Sequence, residues 1–448
     1  MLSKQDNELL CRVGPGTPMG ELMREYWIPA CASNELKPDG PPMRLLLLNE
    51  KLLAFRDTNG RVGIVDHQCA HRCASLFFGR NEGNGIRCVY HGWKFDVNGN
   101  CLDMPNVPPG HSFADRVKIK AYKTFEHNGL VWVYMGKREK APILPSLEPM
   151  FLPTDEVEVG FVQRDCNWLQ GLEGEIDTSH YAFLHLGSVK EDDVAPDSMH
   201  KFALRNRAPE YYTAETEWGT MYAAHRPAEA GELFMRYAHF LFPFFTMVPD
   251  GSFDDHIVFN AWVPMDDEHT MATYVVWKKR TLALRELKDG RPIPGLEQYN
   301  TVPYLPNSAD WYGRFRPELN ASNDYKINRE AQRTSSYSGL PSLGIQDQAI
   351  IESMGPIVDR SKEHLALSDR MISVTRRRLL SAVKAYGSTG ELPPGVDNPT
   401  SYHGARSGSF VARDGEGWME MYSSQLINAK RAFSEVDLDP NHLSHAAQ

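Results

Sequence analysis

The 448-residue sequence predicts an α+β protein, in which a small all-β domain precedes a larger domain that mixes helices with strands. Three observations support this prediction. Between residues 42 and 137, short apolar runs alternate with Asn-Gly turn signals, which is typical of β-hairpins. A proline-rich segment, KAPILPSLEPMFLP, follows and indicates a domain boundary. Beyond it, TYVVWKKRTL predicts a strand, whereas the region from DQAIIESM to DRMISVTRRRLLSAVKAY predicts helices with a break at Gly355-Pro356.

The predicted strands of the small domain are joined by tight turns. RLLLLNEKLLAFRD and RVGIVD flank Asn59-Gly60, and KFDVNGNCLDMP contains Asn98-Gly99. Asn-Gly between apolar runs is a strong hairpin signal, because both residues tolerate a positive φ. GLVWVYMG predicts a further strand. Upstream, PMGELMREYWIPAC predicts a short helix that continues into a loop.

The composition limits the class of protein. A formal net charge of −10 argues against a nucleic-acid partner, because phosphate binding needs a basic surface. The most apolar stretch, FMRYAHFLFPFFTMVP, is interrupted by Arg236, His239 and Pro243, and no run reaches the ~18 apolar residues of a membrane helix. The opening MLSKQDNELLCRVGPG lacks the apolar core of a signal peptide. Seven thinly spread cysteines fit a reducing compartment, so we expect a cytoplasmic protein with no membrane or nucleic-acid partner.

Residues 66–100 contain two short-range pairs of metal-ligand residues, Cys69-Ala-His71 and Cys88-Val-Tyr-His91. Two thiolates and two imidazoles suit either zinc or a Rieske [2Fe–2S] cluster. Zinc sites usually group like ligands with at least two residues between them, whereas each pair here is mixed. Two irons, one bound by thiolates and the other by imidazoles, explain mixed pairs better, so the pattern favours the Rieske cluster.

Two further residues in this stretch, His67 and Cys73, are not expected to be ligands. In respiratory Rieske proteins a disulfide joins the two cluster loops, and its second cysteine would stand next to His91. Val89-Tyr90 occupy that place here, so we predict that Cys73 is a free thiol. His67 is interpreted as a strand-end or second-shell residue.

NWLQGLEGEIDTSHYAFLH, residues 167–185, contains a second candidate metal site. His180 and His185 are five residues apart, which is ~500° on an ideal helix, so the segment must be irregular if both imidazoles bind one ion. Two histidines and a distant carboxylate would form the facial triad of non-haem Fe(II) oxygenases. The alternative is that both histidines are simply buried and hydrogen-bonded.

Together the two motifs resemble those of the Rieske non-haem iron ring-hydroxylating oxygenases. CAHRCASL…CVYHGWKFD is similar to the family's cluster motif, which implies that Cys69, His71, Cys88 and His91 are the cluster ligands; the second motif matches the family's Asp-x2-His-x4-His signature. The resemblance implies that His180 and His185 bind iron and that Asp177 links a ligand histidine to a cluster histidine of a neighbouring subunit. Asn167 and Glu173 lie where the family often has polar second-shell groups.

The third iron ligand is expected further along the chain. GIQDQAIIESMGPIVDRSKEHLALSD offers five acidic candidates: Asp347, Glu352, Asp359, Glu363 and Asp369. We choose Asp347, because it is predicted to open a helix with apolar positions facing the interior, and because it aligns with the family's carboxylate ligand in the phthalate dioxygenase branch. The alternative for Asp347 is a helix-capping role.

The resemblance extends over nearly the whole chain and is nearest to the branch of phthalate 4,5-dioxygenase and phenoxybenzoate dioxygenase. It implies a Rieske domain over residues 42–150 and a helix-grip type catalytic domain with an antiparallel sheet over residues 151–448. The helical segment 1–41 is expected to pack against the catalytic domain. The family forms head-to-tail rings, so we expect a homotrimer or a stacked homohexamer.

The branch's substrates are aromatic carboxylates, and Arg236 is a candidate to bind such a carboxylate. In ELFMRYAHFLFPFF, strand alternation puts Arg236 on an apolar face, where a charge needs a counter-ion. A substrate carboxylate and an internal acid both suit it. Arg236 aligns with a phthalate-contacting arginine of the family, and Thr178 stands where the family has a serine. A second basic contact is not assigned among Lys201, Arg205 and Arg207.

The expected function is a terminal oxygenase component that activates O2 at mononuclear Fe(II) for cis-dihydroxylation of a phthalate-like or phenoxybenzoate-like ring. The sequence has no dinucleotide fingerprint, so electrons from NAD(P)H must arrive through a separate flavin/iron–sulfur reductase. O-demethylation of a methoxylated aromatic acid is the alternative within the family. From other classes, a Rieske electron carrier without oxygenase activity and a zinc hydrolase using His180, His185 and Asp347 remain open.

Overall fold

The computed structural model describes residues 2–280, 284–297, 302–433, 436 and 438–440. Within them the strands form three antiparallel sheets of six, eight and four strands. This arrangement of sheets with packed helices confirms the predicted α+β class. In the described part of the chain, no helix has both the length and the apolar character that crossing a membrane requires.

The first ten strands form the two smaller sheets. They are β1 (Trp27–Ala32), β2 (Met43–Leu47), β3 (Glu50–Arg56), β4 (Val62–Asp66), β5 (Arg80–Glu82), β6 (Gly85–Arg87), β7 (Lys94–Phe95), β8 (Cys101–Asp103), β9 (Ala121–His127) and β10 (Leu130–Tyr134). The six-stranded order is β1-β10-β9-β4-β3-β2, and the four-stranded order is β5-β6-β7-β8. Both predicted Asn-Gly turns are present, between β3 and β4 and between β7 and β8, and their glycines have positive φ.

The eight-stranded sheet forms the centre of the larger domain. Its strands are β11 (Val157–Arg164), β12 (Glu210–Glu215), β13 (Gly219–Pro227), β14 (Glu232–Leu241), β15 (Phe245–Met247), β16 (Val258–Pro264), β17 (Thr270–Trp277) and β18 (Gly408–Arg413). Their order is β11-β17-β16-β15-β14-β13-β12, and β18 also pairs with β14. The strand predicted from TYVVWKKRTL corresponds to β17, which ends at Trp277; residues 281 and 282 of that prediction lie outside the described residues.

Eight α-helices surround the sheets in the described residues. They are α1 (Lys4–Cys11), α2 (Pro18–Met23), α3 (Trp168–Glu175), α4 (Lys201–Arg205), α5 (Arg329–Thr334), α6 (Leu343–Ser353), α7 (Arg370–Thr389) and α8 (Trp418–Asn428). Helices α6 and α7 lie in the two regions predicted to be helical, with Gly355-Pro356 between them. Helix α7 ends where Gly390 adopts a left-handed conformation, which is the usual helix stop.

The N-terminal segment contacts both domains. Helix α1 packs against α3 and α7, and α2 also packs against α7. The sequence prediction of a loop after α2 is wrong, because residues 27–32 form β1 and pair with β10. All five residues of β10 are buried, so the N-terminal strand supplies backbone partners that an uncovered edge would lack.

One hydrophobic core joins the six-stranded and the eight-stranded sheets. Trp132 of β10 has ring contacts with Phe245 of β15 and Phe259 of β16, at centroid distances of 6.5 and 6.4 Å. A second, smaller core lies under the loops that carry Cys69 and Cys88. The first predicted metal site therefore has a core of its own, next to the two sheets that the larger core joins.

Helix α3 is held close to the large sheet by a residue without a side chain. A Cβ atom placed on Gly171 would lie 1.9 Å from Cζ3 of Trp262 on β16. Only glycine therefore allows this approach, which fixes the position of the helix end from which the second metal motif continues.

We predict that Gly171→Ala lowers the free energy of unfolding by about 2 kcal/mol, because the added methyl group overlaps a buried indole ring. The matched control is Gly387→Ala in α7, where a Cβ would meet nothing within 4 Å. Because alanine is the better helix former, that variant should be as stable as the wild type or more stable by up to about 1 kcal/mol. Thermal and urea unfolding measure both variants, and equal stabilities would contradict the packing argument.

Candidate active site

Two similar loops bring the four predicted cluster ligands together. In one loop Cys73 N–H donates to Cys69 O, and in the other Gly92 N–H donates to Cys88 O, each at 2.9 Å. Cys73 and Gly92 occupy equivalent places, and both have positive φ, 57° and 80°. The rings of His71 and His91 lie 4.4 Å apart between centroids, beside the two loops.

The chemistry of these loops fits an iron–sulfur cluster. Both cysteines are buried, and burial raises the pKa of Cys69 to about 11, with the neighbouring Cys88 acting in the same direction. Thiolates at such positions need a bound cation. His71 stacks on Trp93 at 4.5 Å, which fixes the plane of its ring.

Cys73 and His67, the other two cysteine and histidine residues of this stretch, are not part of the group of four predicted cluster ligands. Cys73 is an exposed free thiol, as predicted. His67 directly follows β4, and its ring meets Trp311 edge-on at 5.2 Å. That contact joins the small domain to a loop of the larger one.

The second motif is irregular, as its spacing required. Residues Tyr181–His185 form a single π-helical turn, in which Leu186 N–H donates to Tyr181 O at 3.2 Å. Such a turn holds one residue more than an α-helical turn, so residues five apart come to lie on nearly the same side. The rings of His180 and His185 are consequently 5.0 Å apart.

The carboxylate of Asp347 completes a group of three metal-ligand side chains. One ligand atom from each of His180, His185 and Asp347 lies within 4.8 Å of the other two. Asp347 Oδ1 is 3.5 Å from His180 Nε2 and 3.2 Å from His185 Nε2. Burial opposes ionisation of Asp347, but the imidazoles of His185 and His180 outweigh it and lower its pKa.

Each imidazole in this group is oriented by a partner on its other nitrogen. Gln346 Oε1 lies 2.7 Å from His185 Nδ1, and Gln346 Nε2 donates to Gly295 O at 2.9 Å. Asp177 Oδ2 lies 3.5 Å from His180 Nδ1. With Nδ1 donating, both Nε2 lone pairs point toward Asp347, which gives the two-histidine, one-carboxylate donor set of a non-haem iron site.

A cavity of about 300 Å³ lies next to these three side chains. Alternation along the central strands of the large sheet turns Val258 and Asn260 of β16, and Tyr274 and Val276 of β17, toward it. Asp177 and Thr178 line the same cavity. The space therefore combines aliphatic and aromatic side chains with about as many polar or charged ones, as a small-molecule site with specific polar contacts requires.

Arg236 contributes an unpaired positive charge to this cavity. The residue is 4% exposed, and its Nε donates to Thr178 Oγ1 at 2.9 Å. Its guanidinium lies 4.5 Å from the ring centroid of Tyr181, and Nη1 is buried without a hydrogen-bond partner. Among the described residues no ion pair joins a carboxylate to Arg236, which agrees with the predicted substrate carboxylate as its counter-ion, although Asp177 and Asp250 line the same cavity.

The three other basic candidates have partners elsewhere. Arg207 donates to the backbone carbonyls of the π-helical region, including Ala182 O, Arg205 pairs with Glu191, and Lys201 lies near Glu229. None of the three lines the cavity. The cavity therefore has no second cation from this group to match a second carboxylate.

Comparison with known proteins identifies the family. A Rieske [2Fe–2S] domain matches residues 26–123, and a LigXa C-terminal domain-like family matches residues 133–435. The chain is 48% identical to the 3-chlorobenzoate-3,4-dioxygenase oxygenase subunit of Comamonas testosteroni, over 95% of this chain and 99% of that protein. The chain belongs to the Rieske aromatic ring-hydroxylating oxygenases.

Further matches agree with this assignment. The phthalate 4,5-dioxygenase oxygenase subunit of Pseudomonas putida is 37% identical over 86% of this chain and 87% of that protein. The crystal structure of dicamba monooxygenase bound to dicamba shares the fold, with a TM-score of 0.54 at 14% identity over 82% of this chain and 99% of that one. This Rieske oxygenase is thus an oxygenase subunit that carries a [2Fe–2S] cluster, and an oxygenase subunit implies a reductase partner.

Two predicted second-shell residues of this Rieske oxygenase have other partners. Asn167 caps α3 by accepting from Leu169 N and donates to the carbonyls of Cys11 and Asp267. Glu173 pairs with two buried arginines, Arg360 at 2.9 Å and Arg376 at 2.5 Å. Neither bonds to the three metal-ligand side chains, so the second-shell prediction is corrected: both side chains fix α3 to neighbouring elements.

The prediction that Asp347 opens a helix is also wrong. Helix α6 begins at Leu343 with Ser342 at its N-cap, so Asp347 is the fifth helical residue. The alternative that Asp347 caps this helix is wrong for the same reason, because Ser342 holds the N-cap position. No pattern in the sequence pointed to Gln346, whose partner His185 lies 161 residues away.

We predict that Cys69→Ser removes the visible absorption of the cluster, because the serine hydroxyl is a poor substitute for a buried thiolate ligand. Cys73→Ser is the matched control: it lies four residues away, is exposed, and should retain the full spectrum. Ultraviolet–visible and electron paramagnetic resonance spectra measure both. A normal cluster in the Cys69 variant would refute the ligand assignment.

Proposed function

We propose that His180, His185 and Asp347 hold a mononuclear Fe(II) and that the enzyme cis-dihydroxylates an aromatic carboxylate. The observation that carries this proposal is a single cavity that combines a two-histidine, one-carboxylate group with an unpaired buried arginine, Arg236. Two relatives act, by name, on 3-chlorobenzoate and phthalate, which are both aromatic acids. Bound iron would supply the activation of O2.

The side chains of the cavity would bind and orient the substrate. A carboxylate on Arg236 would accept charge-assisted hydrogen bonds from the guanidinium and place the ring against the aliphatic wall formed by Val248, Val258 and Val276. Overall, the ring and O2 take up two electrons and two protons to give a cis-dihydrodiol. Oxidation of NAD(P)H to NAD(P)+ supplies both electrons and one proton, and the second proton comes from solvent. Burial of the ring would exclude water from the reacting face.

The electrons would come from a flavin/iron–sulfur reductase through the cluster of a neighbouring subunit. Asp177 supports this route, because its carboxylate contacts His180 and remains 22% exposed. Exposed apolar side chains occur near the cluster (Val89, Tyr90) and near the iron ligands (Phe183, Ile350). Two different apolar surfaces suit a head-to-tail ring, and we propose a homotrimer or a stacked homohexamer. All seven cysteines are free, which supports a cytoplasmic location.

The test of the function supplies a surrogate reductase and NADH and measures O2 uptake and product with benzoates, phthalates, phenoxybenzoates and neutral arenes. We expect uptake coupled to a dihydrodiol for an aromatic acid. Formaldehyde from a methoxybenzoate would instead establish O-demethylation. Absence of coupled uptake with every ring would favour the electron carrier, and turnover without NADH or O2 would favour the zinc hydrolase.

We predict that His185→Ala loses the mononuclear iron and product formation while it keeps the cluster spectrum. His256→Gln is the matched control, because His256 also lines the cavity but bonds to Val248 O rather than to the metal-ligand group. Iron analysis should show a loss of about one iron per chain in the first variant only. Full activity of the His185 variant would exclude the proposed site.

We predict that Arg236→Gln raises the KM for an accepted aromatic acid by about 10- to 100-fold, since a charge-assisted hydrogen bond to a buried carboxylate is lost. The effect on kcat should be smaller, because the arginine binds the substrate away from the reacting carbons. Steady-state kinetics with the acid and its neutral amide separate charge from shape, and an equal effect on both would contradict a carboxylate contact.

A further inference from the structure

A second buried arginine lies next to Arg236. Arg226 on β13 is completely buried, and its Nε donates to Asn206 O at 2.8 Å. Both of its Nη atoms are buried without hydrogen-bond partners. Among the described residues it forms no ion pair. Arg226 is therefore a buried cation whose strongest donors are unused, which the fold alone does not explain.

The strand register places both arginines around one small residue. Ala224 of β13 pairs with Arg236 of β14 on one side and with Tyr211 of β12 on the other. Arg226 and Tyr222 lie two residues to either side of Ala224, so alternation puts them on the same sheet face. The methyl group of Ala224 leaves room between these longer side chains.

The tyrosines of this group also have unused polar atoms. The hydroxyls of Tyr211 and Tyr222 are both buried without a partner. Their rings meet edge-on at 5.6 Å, and Tyr222 lines the active-site cavity together with Arg236. Burial raises the pKa of both tyrosines, so both hydroxyls stay protonated and are able to donate.

The charges of this group are unbalanced. Burial, and then the nearby charge of Arg236, lowers the pKa of Arg226 to about 10. His200, close to Arg236, is kept neutral, because burial and that arginine lower its pKa to about 3. Two cations with five unused donor or hydroxyl positions, of which those of Arg236 and Tyr222 belong to residues that line the cavity, favour an anion.

We propose that Arg226 is a second cation of the anion subsite, positioned behind Arg236 and Tyr222, and that it sets the preference for a carboxylate over a neutral group. The proposal rests on the proposed function. When a carboxylate binds, a tyrosine hydroxyl turns to accept from the Arg226 guanidinium and to donate to the carboxylate, so the second charge acts without direct contact. Arg226 is thus a positioning residue for an aromatic acid.

The test measures binding of benzoate and of benzamide to the oxidised holoenzyme by calorimetry, without reductase, so that no turnover occurs. Arg226→Gln should raise the Kd for benzoate by about tenfold, which is the effect of losing one charged hydrogen-bond partner. The Kd for benzamide should change by less than about twofold. Tyr211→Phe removes a hydroxyl of the same group and should raise the Kd for benzoate by about threefold, with little effect on folding. Arg205→Gln, a surface arginine paired with Glu191, is the control and should change neither.

Two outcomes overturn the inference. One is unchanged benzoate binding in both the Arg226 and the Tyr211 variants, and the other is equal weakening of benzoate and benzamide, which would mean a purely structural role. If Arg236→Gln weakens benzoate binding and both Arg226→Gln and Tyr211→Phe leave it unchanged, only this inference fails. If none of the Arg236, Arg226 and Tyr211 variants changes benzoate binding, the carboxylate subsite of the proposed function fails as well.

Discussion

The convergence of two imidazoles on one partly buried carboxylate is the constraint on which the rest of the catalytic domain depends. His180 and His185 reach the same side only because residues 181–185 form a π-helical turn. The turn is placed by α3, and Asp347 is placed by α6, which packs against α3 and against the π-helical turn. The positions of the three ligand side chains therefore depend on how α3, the π-helical turn and α6 pack together.

That packing is secured by groups that never touch the metal-ligand side chains. The Glu173 carboxylate on α3 joins Arg360 and Arg376, and Arg360 also donates to Asn7 on α1. Burial opposes ionisation of Glu173, but the two arginines lower its pKa. Removing one partner of such a network leaves uncompensated buried charge, so α1, α3 and α7 are fixed together. The N-terminal helix thus stabilises a site far from it in sequence.

The sequence was most informative where chemistry restricts residue type. Cys69, His71, Cys88 and His91 stand in a spacing that few other sites use, and the structure brings their loops together. The five-residue spacing of His180 and His185 even predicted an irregular helix, because an ideal one separates such residues. Long apolar periodicity likewise predicted α6 and α7.

Sequence was least informative where long-range contacts decide the outcome. Residues 27–32 became a strand because β10, a hundred residues later, offers an edge. Asn167 and Glu173 were misassigned because their polar character fits a metal shell and a buried ion pair equally well, and only the direction of the side chain separates them. Gln346 and Arg226 became visible only when helix contacts and strand register were known. A hydrogen-bond partner at a separation of 161 residues, as for His185 and Gln346, leaves no local pattern.

The two ends of the cavity differ in whether their ionisable side chains already have hydrogen-bond partners. Glu175 also lines it, but Asn260 at 2.7 Å and Trp262 at 2.8 Å donate to its carboxylate, as does Thr246. Thr246 pairs with Phe240 on β14. Arg236 stands four residues earlier on β14, so the backbone positions of Thr246 and Arg236 are ~13 Å apart along the strand.

This separation decides the orientation of a charged ring. Near Glu175 the donors of Thr246, Asn260 and Trp262 are already used, whereas Arg236 has an unused donor. Under the proposed function, an aromatic acid would therefore be stabilised in one orientation more than in the reverse one. Because His180, His185 and Asp347 line the same cavity, a carboxylate held at Arg236 would select which ring carbons face these side chains, and regiochemistry would follow from charge placement.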